Sequence, residues 1–166
     1  MKRFVRFTGI FLIAAMLCGT LTGCKAFDYR KAQKLCDKGE YLEASALFSS
    51  LEDYKDSAEQ ANEAYRLYGV QLSENRNYEE SIAVLETLAD AYAPAQETLN
   101  DVKIAYGEDL AKNQNYEKAT EIFKACEVNE TLQSTLDEIS NSLISQGDYK
   151  DAYGFLYLHD TNEEWM

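Results

Sequence analysis

The sequence has very few of the residues on which enzymes and metal sites depend. It has one histidine, His159, near the end of 166 residues, and no GxSxG, HExxH, Ser-x-x-Lys, P-loop or dinucleotide-binding pattern. The four cysteines do not cluster with it, and no Asp-rich loop has the glycine that a calcium site requires. We therefore expect that the protein is not an enzyme and binds no metal.

Basic residues are also scarce, which bears on the possible partners. The 16 Lys and Arg residues face 29 Asp and Glu residues, and the net charge is −13. Nucleic-acid binding needs a basic stripe, so no nucleic-acid partner is expected. The same acidity disfavours broad docking on anionic lipid. Most of the acidic side chains indicate solvated helix faces.

The N-terminal segment, residues 1–23, has the pattern of an export signal. Lys2, Arg3 and Arg6 precede the apolar run 10–17, which is too short to span a bilayer as a permanent helix. The following Leu21-Thr22-Gly23-Cys24 resembles the bacterial lipobox. An ordinary cleaved signal with a chance cysteine is the alternative interpretation.

The lipobox resemblance implies that Cys24 receives a diacylglycerol and becomes the new N-terminus. Two acyl chains hold a protein stably on a membrane, so the mature chain is expected on the outer face of a bacterial membrane. Its 143 residues would carry a net charge of −16. No cofactor is expected other than this lipid. Residues 24–28 are predicted as a short tether, with Asp28 capping the first helix.

The rest of the chain contains four related segments. Tyrosines recur at spacings of 37, 38 and 33 residues, and apolar or small residues recur at fixed offsets from them. The repeat tyrosines are Tyr41, Tyr78, Tyr116 and Tyr149. Leucines lie six residues before each: Leu35, Leu72, Leu110 and Leu143. Small residues lie nine before (Ala32, Gly69, Gly107, Ser140) and three after (Ala44, Ser81, Ala119, Ala152), and large apolar residues lie seven after (Phe48, Leu85, Phe123, Leu156).

Apolar residues at three- and four-residue intervals predict two helices in each segment, with a tight turn between them. The clearest pair predicts a helix over 57–74, capped by Asp56, and a second helix capped by Asn77. The predicted repeats are 29–51, 57–88, about 94–126 and 129–158, followed by an aperiodic tail, 159–166, that contains Trp165. Pro94 suits a helix start, and Gly147-Asp148 a turn. A single helix pair leaves apolar surface uncovered, so stacked pairs are expected.

This pattern resembles the tetratricopeptide repeat (TPR) family, although that family's tryptophan and helix-end proline are absent and two spacings exceed 34. The resemblance covers residues 29–158. It implies an all-α fold, a TPR-like right-handed α-solenoid of three to four repeats, whose first helices line a groove. The groove positions mapped by offset are Tyr29, Gln33, Glu63, Arg66, Val70, Asp101, Ile104, Glu108, Asp137 and Asn141.

The expected function is therefore that of a membrane-anchored scaffold that binds a protein or peptide. The mixed apolar and acidic groove suits a neutral or basic partner segment. A structural or self-assembling component of the cell envelope is an alternative, and an enzymatic or solute-binding lipoprotein is a third. The oligomeric state stays open. A disulfide between Cys36 and Cys126 is possible outside the cell. A whole repeat separates their repeats, which disfavours bonding distance, so two small core residues are expected instead.

Overall fold

A computed structural model describes residues 24–158, and within this range the chain is all-helical. The predictions for residues 1–23 and 159–166 lie outside the described range. Eight helices occur in it: α1 (24–36), α2 (Tyr41–Ser49), α3 (Ser57–Glu74), α4 (Tyr78–Ala89), α5 (Ala93–Lys112), α6 (Tyr116–Lys124), α7 (Glu130–Gln146) and α8 (Tyr149–Leu156).

Every second helix of a pair begins at a repeat tyrosine, as the sequence period predicts. The predicted helix over 57–74 is confirmed at both ends, and Pro94 lies in the first turn of α5. Asn129 caps α7, where its side-chain oxygen accepts a hydrogen bond from the backbone N–H of Leu132 at 2.8 Å. Asn77 occupies the predicted capping position of α4, but its side chain makes no capping bond.

The turn inside each pair has the same backbone form. The residue two before each repeat tyrosine is left-handed: Gly39, Arg76, Gln114 and Gly147, with φ of 76°, 63°, 62° and 83°. The next residue donates its N–H to the carbonyl of the repeat leucine, at 2.9–3.0 Å in all four turns. This closes the helix end in the manner of a Schellman motif. The left-handed residue of the second turn is Arg76, and neither Asn75 nor Asn77 beside it has a positive φ.

The two columns of small residues are buried in all four pairs. The four residues after the tyrosines are completely inaccessible, and the four before them are buried as well. A Cβ added at Gly69 would lie 2.8 Å from Leu85, and one at Gly107 would lie 2.5 Å from Phe123. Small side chains are therefore required for the paired helices to approach this closely.

The column of large apolar residues holds in three pairs and shifts in the fourth. Phe48, Leu85 and Phe123 are completely buried, whereas Leu156, the predicted fourth member, is exposed. Phe155 takes the buried position, because residues three and four after Ala152 lie on the same helix face and the larger ring fills the core.

Contacts divide the chain into two units, Met1–Tyr68 and Gly69–Met166. In the described part of the first, Tyr29 packs edge-on against Phe48 and Tyr54, at ring-centroid distances of 5.3 and 5.8 Å. In the second, one core cluster lies around Leu85 and Leu99, and another contains Ile104, Phe123, Leu132, Leu136 and Phe155.

Candidate functional site

Two first helices, α5 and α7, contact each other and leave an open cleft between them. This α5–α7 cleft has a volume of about 390 Å³ and lies at the C-terminal end of α5, beside the start of α6. Its lining includes Glu108, Lys112, Tyr116, Glu138, Ser142 and Gln146. The cleft belongs entirely to the second unit.

The lining of the cleft is polar and apolar in about equal parts. Glu108 and Lys112 form an ion pair of 2.6 Å one turn apart on α5, and the Glu108 carboxylate raises the pKa of Lys112. From α7, Glu138, Ser142 and Gln146 reach the cleft because their spacing of four places them on one helix face. Ile139 and Tyr116 supply apolar surface. Such a lining can accept both hydrogen bonds and aliphatic side chains.

Glu108 is the one predicted groove residue that lines this cleft. Asp101, Asp137 and Asn141 are exposed on other faces of α5 and α7, and Val70 is half-buried. Desolvation, with the negative charge of Glu97, raises the pKa of Asp101. The residues of α7 that line the cleft could have been found by following the polar residues of this helix at three- and four-residue steps. Mapping by equal offset from the repeat tyrosines selected a neighbouring face of the helix instead.

Ile104, predicted as a groove position with packing against the neighbouring repeat as the alternative, is a core residue. Its side chain is 4% exposed and belongs to the cluster around Phe123 and Leu136. The groove assignment of Ile104 is wrong and the packing alternative holds, because Ile104 lies on the face of α5 that contains Gly107, and this face packs against the neighbouring helices.

Tyr29 is also buried, with 6% of its surface exposed. Its hydroxyl donates a hydrogen bond of 2.5 Å to the Asp56 carboxylate, and its ring packs in the core of the first unit. It is therefore unavailable as a groove contact. Gln33 is exposed on α1, while Glu63 and Arg66 pair with each other on α3 through two contacts of 2.6 and 2.8 Å.

The predicted lipidation residue, Cys24, is exposed and already helical. The tether predicted over residues 24–28 forms the first turns of α1, and Asp28 lies inside the helix. Lys25 fixes this end of α1 to the loop after α2, because its Nζ donates hydrogen bonds to the Leu51 carbonyl at 3.1 Å and to Glu52 at 3.2 Å. Any group carried by Cys24 is therefore attached to a helix of the folded unit.

A charged contact beside the repeat tyrosine of the second pair connects three helices. The Glu79 carboxylate of α4 accepts hydrogen bonds from Lys118 Nζ of α6 at 2.8 Å and from the Tyr106 hydroxyl of α5 at 3.0 Å. These donors, Lys118 first, lower the pKa of Glu79. The Tyr106 ring stacks on Tyr78 at 5.1 Å. Glu79 is highly exposed and also joins neighbouring helices.

Other site types have no support among residues 24–158. No group of three or more potential metal ligands occurs there, and Cys36 and Cys126 are not joined by a disulfide. No helix in this range has the length and apolar character needed to cross a membrane.

Residues 24–158 form four related helix pairs, and an open cleft of mixed polar and apolar lining lies between the first helices α5 and α7. Comparison with protein-family models, with curated proteins and with solved structures found no match for the chain.

Proposed function

We propose that the chain is an exported bacterial lipoprotein whose helix pairs form a TPR-like right-handed α-solenoid that binds a protein or peptide. Diacylglycerol on Cys24 would anchor it to the outer face of a membrane. The α5–α7 cleft would hold a neutral or basic segment of the partner. The single observation that carries this proposal is the cleft itself, an open hollow of mixed polar and apolar lining between two first helices.

The composition of the cleft favours binding over catalysis. Its ionisable residues are two glutamates, a tyrosine and a lysine, and the lysine is engaged by Glu108. Glu138 forms no ion pair within residues 24–158 and is exposed, so its carboxylate can receive a cation or an N–H donor. Ile139 offers an apolar contact next to it, as a peptide side chain with an aliphatic stem requires.

Site-specific photo-crosslinking tests the proposal in the native membrane. A photo-reactive amino acid replaces Ser142, which lines the cleft, and in the matched control it replaces Asn141, which is exposed on another face of the same helix. We expect one protein or peptide, identified by mass spectrometry, to crosslink at position 142 and not at 141. Glu138→Lys should remove this product. Equal products at both positions, or none at 142, would contradict the proposal.

A self-assembling envelope component is the second candidate, and one observation favours it. The last pair presents apolar side chains to solvent: Ile144, Tyr149, Tyr153, Leu156 and Tyr157. In the second pair the equivalent tyrosine, Tyr78, is covered by Tyr106 of the next first helix. Tyr149 has no such cover within the described residues, because no helix follows α8 there. Light scattering at high protein concentration tests this candidate, because a monomer at every concentration would exclude it.

A further inference from the structure

Helix α1 has one exposed face whose chemistry differs from that of the remaining chain. Cys24, Phe27, Arg30, Lys31 and Lys34 follow one another at helical spacing and are all exposed. Tyr29 and Ala32 on the opposite side are buried. Phe27 is 69% exposed, the largest fraction among the large apolar residues of the described range. We call these five residues the α1 face.

The α1 face is basic in an otherwise acidic protein. Residues 24–36 contain four cations, Lys25, Arg30, Lys31 and Lys34, and one acid, Asp28, so this helix has a net charge of +3 in a chain of net charge −13. Seven other lysines and arginines of residues 24–158 form ion pairs, whereas Arg30, Lys31 and Lys34 form none there. Three neighbouring cations are thus left for an external anion.

The attachment point of the proposed lipid lies on this same face. Ten residues of helix separate Cys24 from Lys34, a distance of about 15 Å along the axis. Because α1 is helical from residue 24 and Lys25 is bonded to Leu51 and Glu52, no flexible spacer separates the anchor from the cations. A membrane that holds Cys24 therefore lies within reach of Phe27 and the three cations.

We propose that the α1 face lies along the surface of an anionic phospholipid bilayer. Phe27 would enter the interface beside the acyl chains, and Arg30, Lys31 and Lys34 would contact lipid phosphates. Each cation at such a surface raises partitioning by roughly fivefold. The inference rests on the proposed lipidation of Cys24 and adds to it an orientation of the first unit, with α1 parallel to the membrane.

The surrounding groups favour a membrane over another polyanion. Phe27 and the cysteine belong to the same stripe as the cations, so a single contact can place the ring in the bilayer interface and the cations at lipid phosphates. A nucleic acid or an acidic protein would use the cations and leave Phe27 without a partner. The acidic charge of the remaining chain is repelled by an anionic bilayer, which also favours contact through α1 alone.

A tryptophan probe in the turn that follows α1 reports the orientation. The mature chain with Trp165→Phe and Lys38→Trp is coupled through Cys24 to maleimide lipids in vesicles, which makes the test independent of lipidation in the cell. Coupling is selective because burial raises the pKa of Cys36 and raises that of Cys126 to about 11, and only the thiolate reacts.

Quenching of the tryptophan probe by a nitroxide on lipid headgroups is compared for vesicles with and without phosphatidylglycerol. About 18 Å of helix separate residues 24 and 36, so an upright helix would keep the probe away from the headgroups.

We expect at least twofold stronger quenching of the probe at position 38 on vesicles with phosphatidylglycerol, and loss of this increase at high salt. Lys31→Glu with Lys34→Glu should abolish the increase. The control Lys124→Glu with Lys150→Glu makes the same charge change at two other exposed, unpaired lysines and should retain it.

Quenching of a second probe, Phe27→Trp, without quenching of the probe at position 38 on anionic vesicles would overturn the proposal, because the helix would then stand upright. Equal quenching at position 38 on neutral vesicles, or equal loss in both lysine pairs, would overturn it as well. Binding of the α1 face to an oligonucleotide in preference to vesicles would assign it to another polyanion. Mass measurement of the N-terminal peptide from cells tests lipidation separately, so failure of the anchor and failure of the face can be distinguished.

Discussion

Ser81 donates a hydrogen bond from its hydroxyl to the backbone carbonyl oxygen of Gly69 at 2.6 Å. The two residues belong to the two columns of small residues in the same repeat, and both are buried. Small size at these positions therefore has two consequences: the helices approach closely, and a hydroxyl on one helix can reach the backbone of the other.

Gly107→Ala should destabilise the protein, although alanine is the better helix former. The added methyl carbon would lie 2.5 Å from the Phe123 ring, which is completely buried and has little room to move. Overpacking of this kind costs about 1–3 kcal/mol, more than the gain of roughly 1 kcal/mol in helix propensity.

The matched control is Gly154→Ala in α8, where an added Cβ would meet nothing within 4 Å. It should stabilise by roughly 0.5–1 kcal/mol. Urea unfolding of both variants measures the difference. Similar changes in free energy for both would show that Gly107 does not lie at a tight helix crossing.

Gln114→Gly should stabilise the protein, because a residue with a Cβ is held there at φ 62°. The left-handed conformation costs an L-residue other than glycine roughly 1–2 kcal/mol, and glycine removes most of this. The reverse change, Gly147→Gln at φ 83°, should lower the unfolding free energy by about the same amount, since its surroundings are open. Thermal melts of the two variants should shift in opposite directions, and shifts of the same sign would contradict the prediction.

The bond between Tyr29 and Asp56 should make stability depend on pH at both ends of the scale. The hydrogen bond, with burial, raises the pKa of Tyr29 to about 12, and Tyr29 lowers the pKa of Asp56. A raised tyrosine pKa contributes stability that is complete below the ordinary value near 10 and is lost as pH rises through 12. A lowered aspartate pKa contributes stability that is present above its ordinary value and is lost as pH falls through the folded-state value.

Tyr29→Phe should therefore lower the melting temperature at neutral pH and flatten the dependence of stability on pH at both extremes. Tyr153→Phe is the control, because the Tyr153 ring is 53% exposed and should leave the profile unchanged. Unfolding followed by circular dichroism from acidic pH to alkaline pH measures both profiles. An unchanged slope in Tyr29→Phe at both extremes would disprove the coupling.

Cys24→Ser should release the protein from the membrane or leave it as unprocessed precursor, if Cys24 carries the diacylglycerol. Detergent-phase partitioning and the mass of the mature chain measure the outcome. Cys36→Ser is the matched control, since this thiol is half-buried within the first unit and lies outside the lipobox. A Cys24→Ser protein that loses residues 1–23 and still partitions with the detergent would rule out the lipid anchor.

Much of the helical architecture could be predicted from the sequence because it follows from period and from side-chain size. The helix pairs could be located from the spacing of the small residues and the repeat tyrosines. The start predicted for the fourth repeat, residue 129, is the cap of α7. The left-handed residues Arg76 and Gln114 could not be predicted, since their side chains have no preference for that conformation and the tertiary fold holds them there.

The candidate site was harder to predict because equal offsets do not guarantee equal surroundings. Tyr29 and Ile104 occupy the same offset as Arg66 and Asp137, yet they are buried. The loop after α2 supplies partners for Tyr29, and helix packing around Phe123 encloses Ile104. Which face of a first helix borders an open cleft depends on how far apart two helices pack, and distances of this kind are not encoded in a short periodic pattern.

The unequal lengths of the paired helices also bear on how the protein opens. Helices α2, α6 and α8 have nine, nine and eight residues, while α3, α5 and α7 have 18, 20 and 17. Isolated helices shorter than about 12–15 residues are marginal in water, so the short ones persist only while docked on long neighbours. Amide hydrogens of a short helix should then exchange with solvent whenever it undocks. In the second unit, α8 has eight residues and packs on α7, so exchange of its amide hydrogens should follow undocking from that helix.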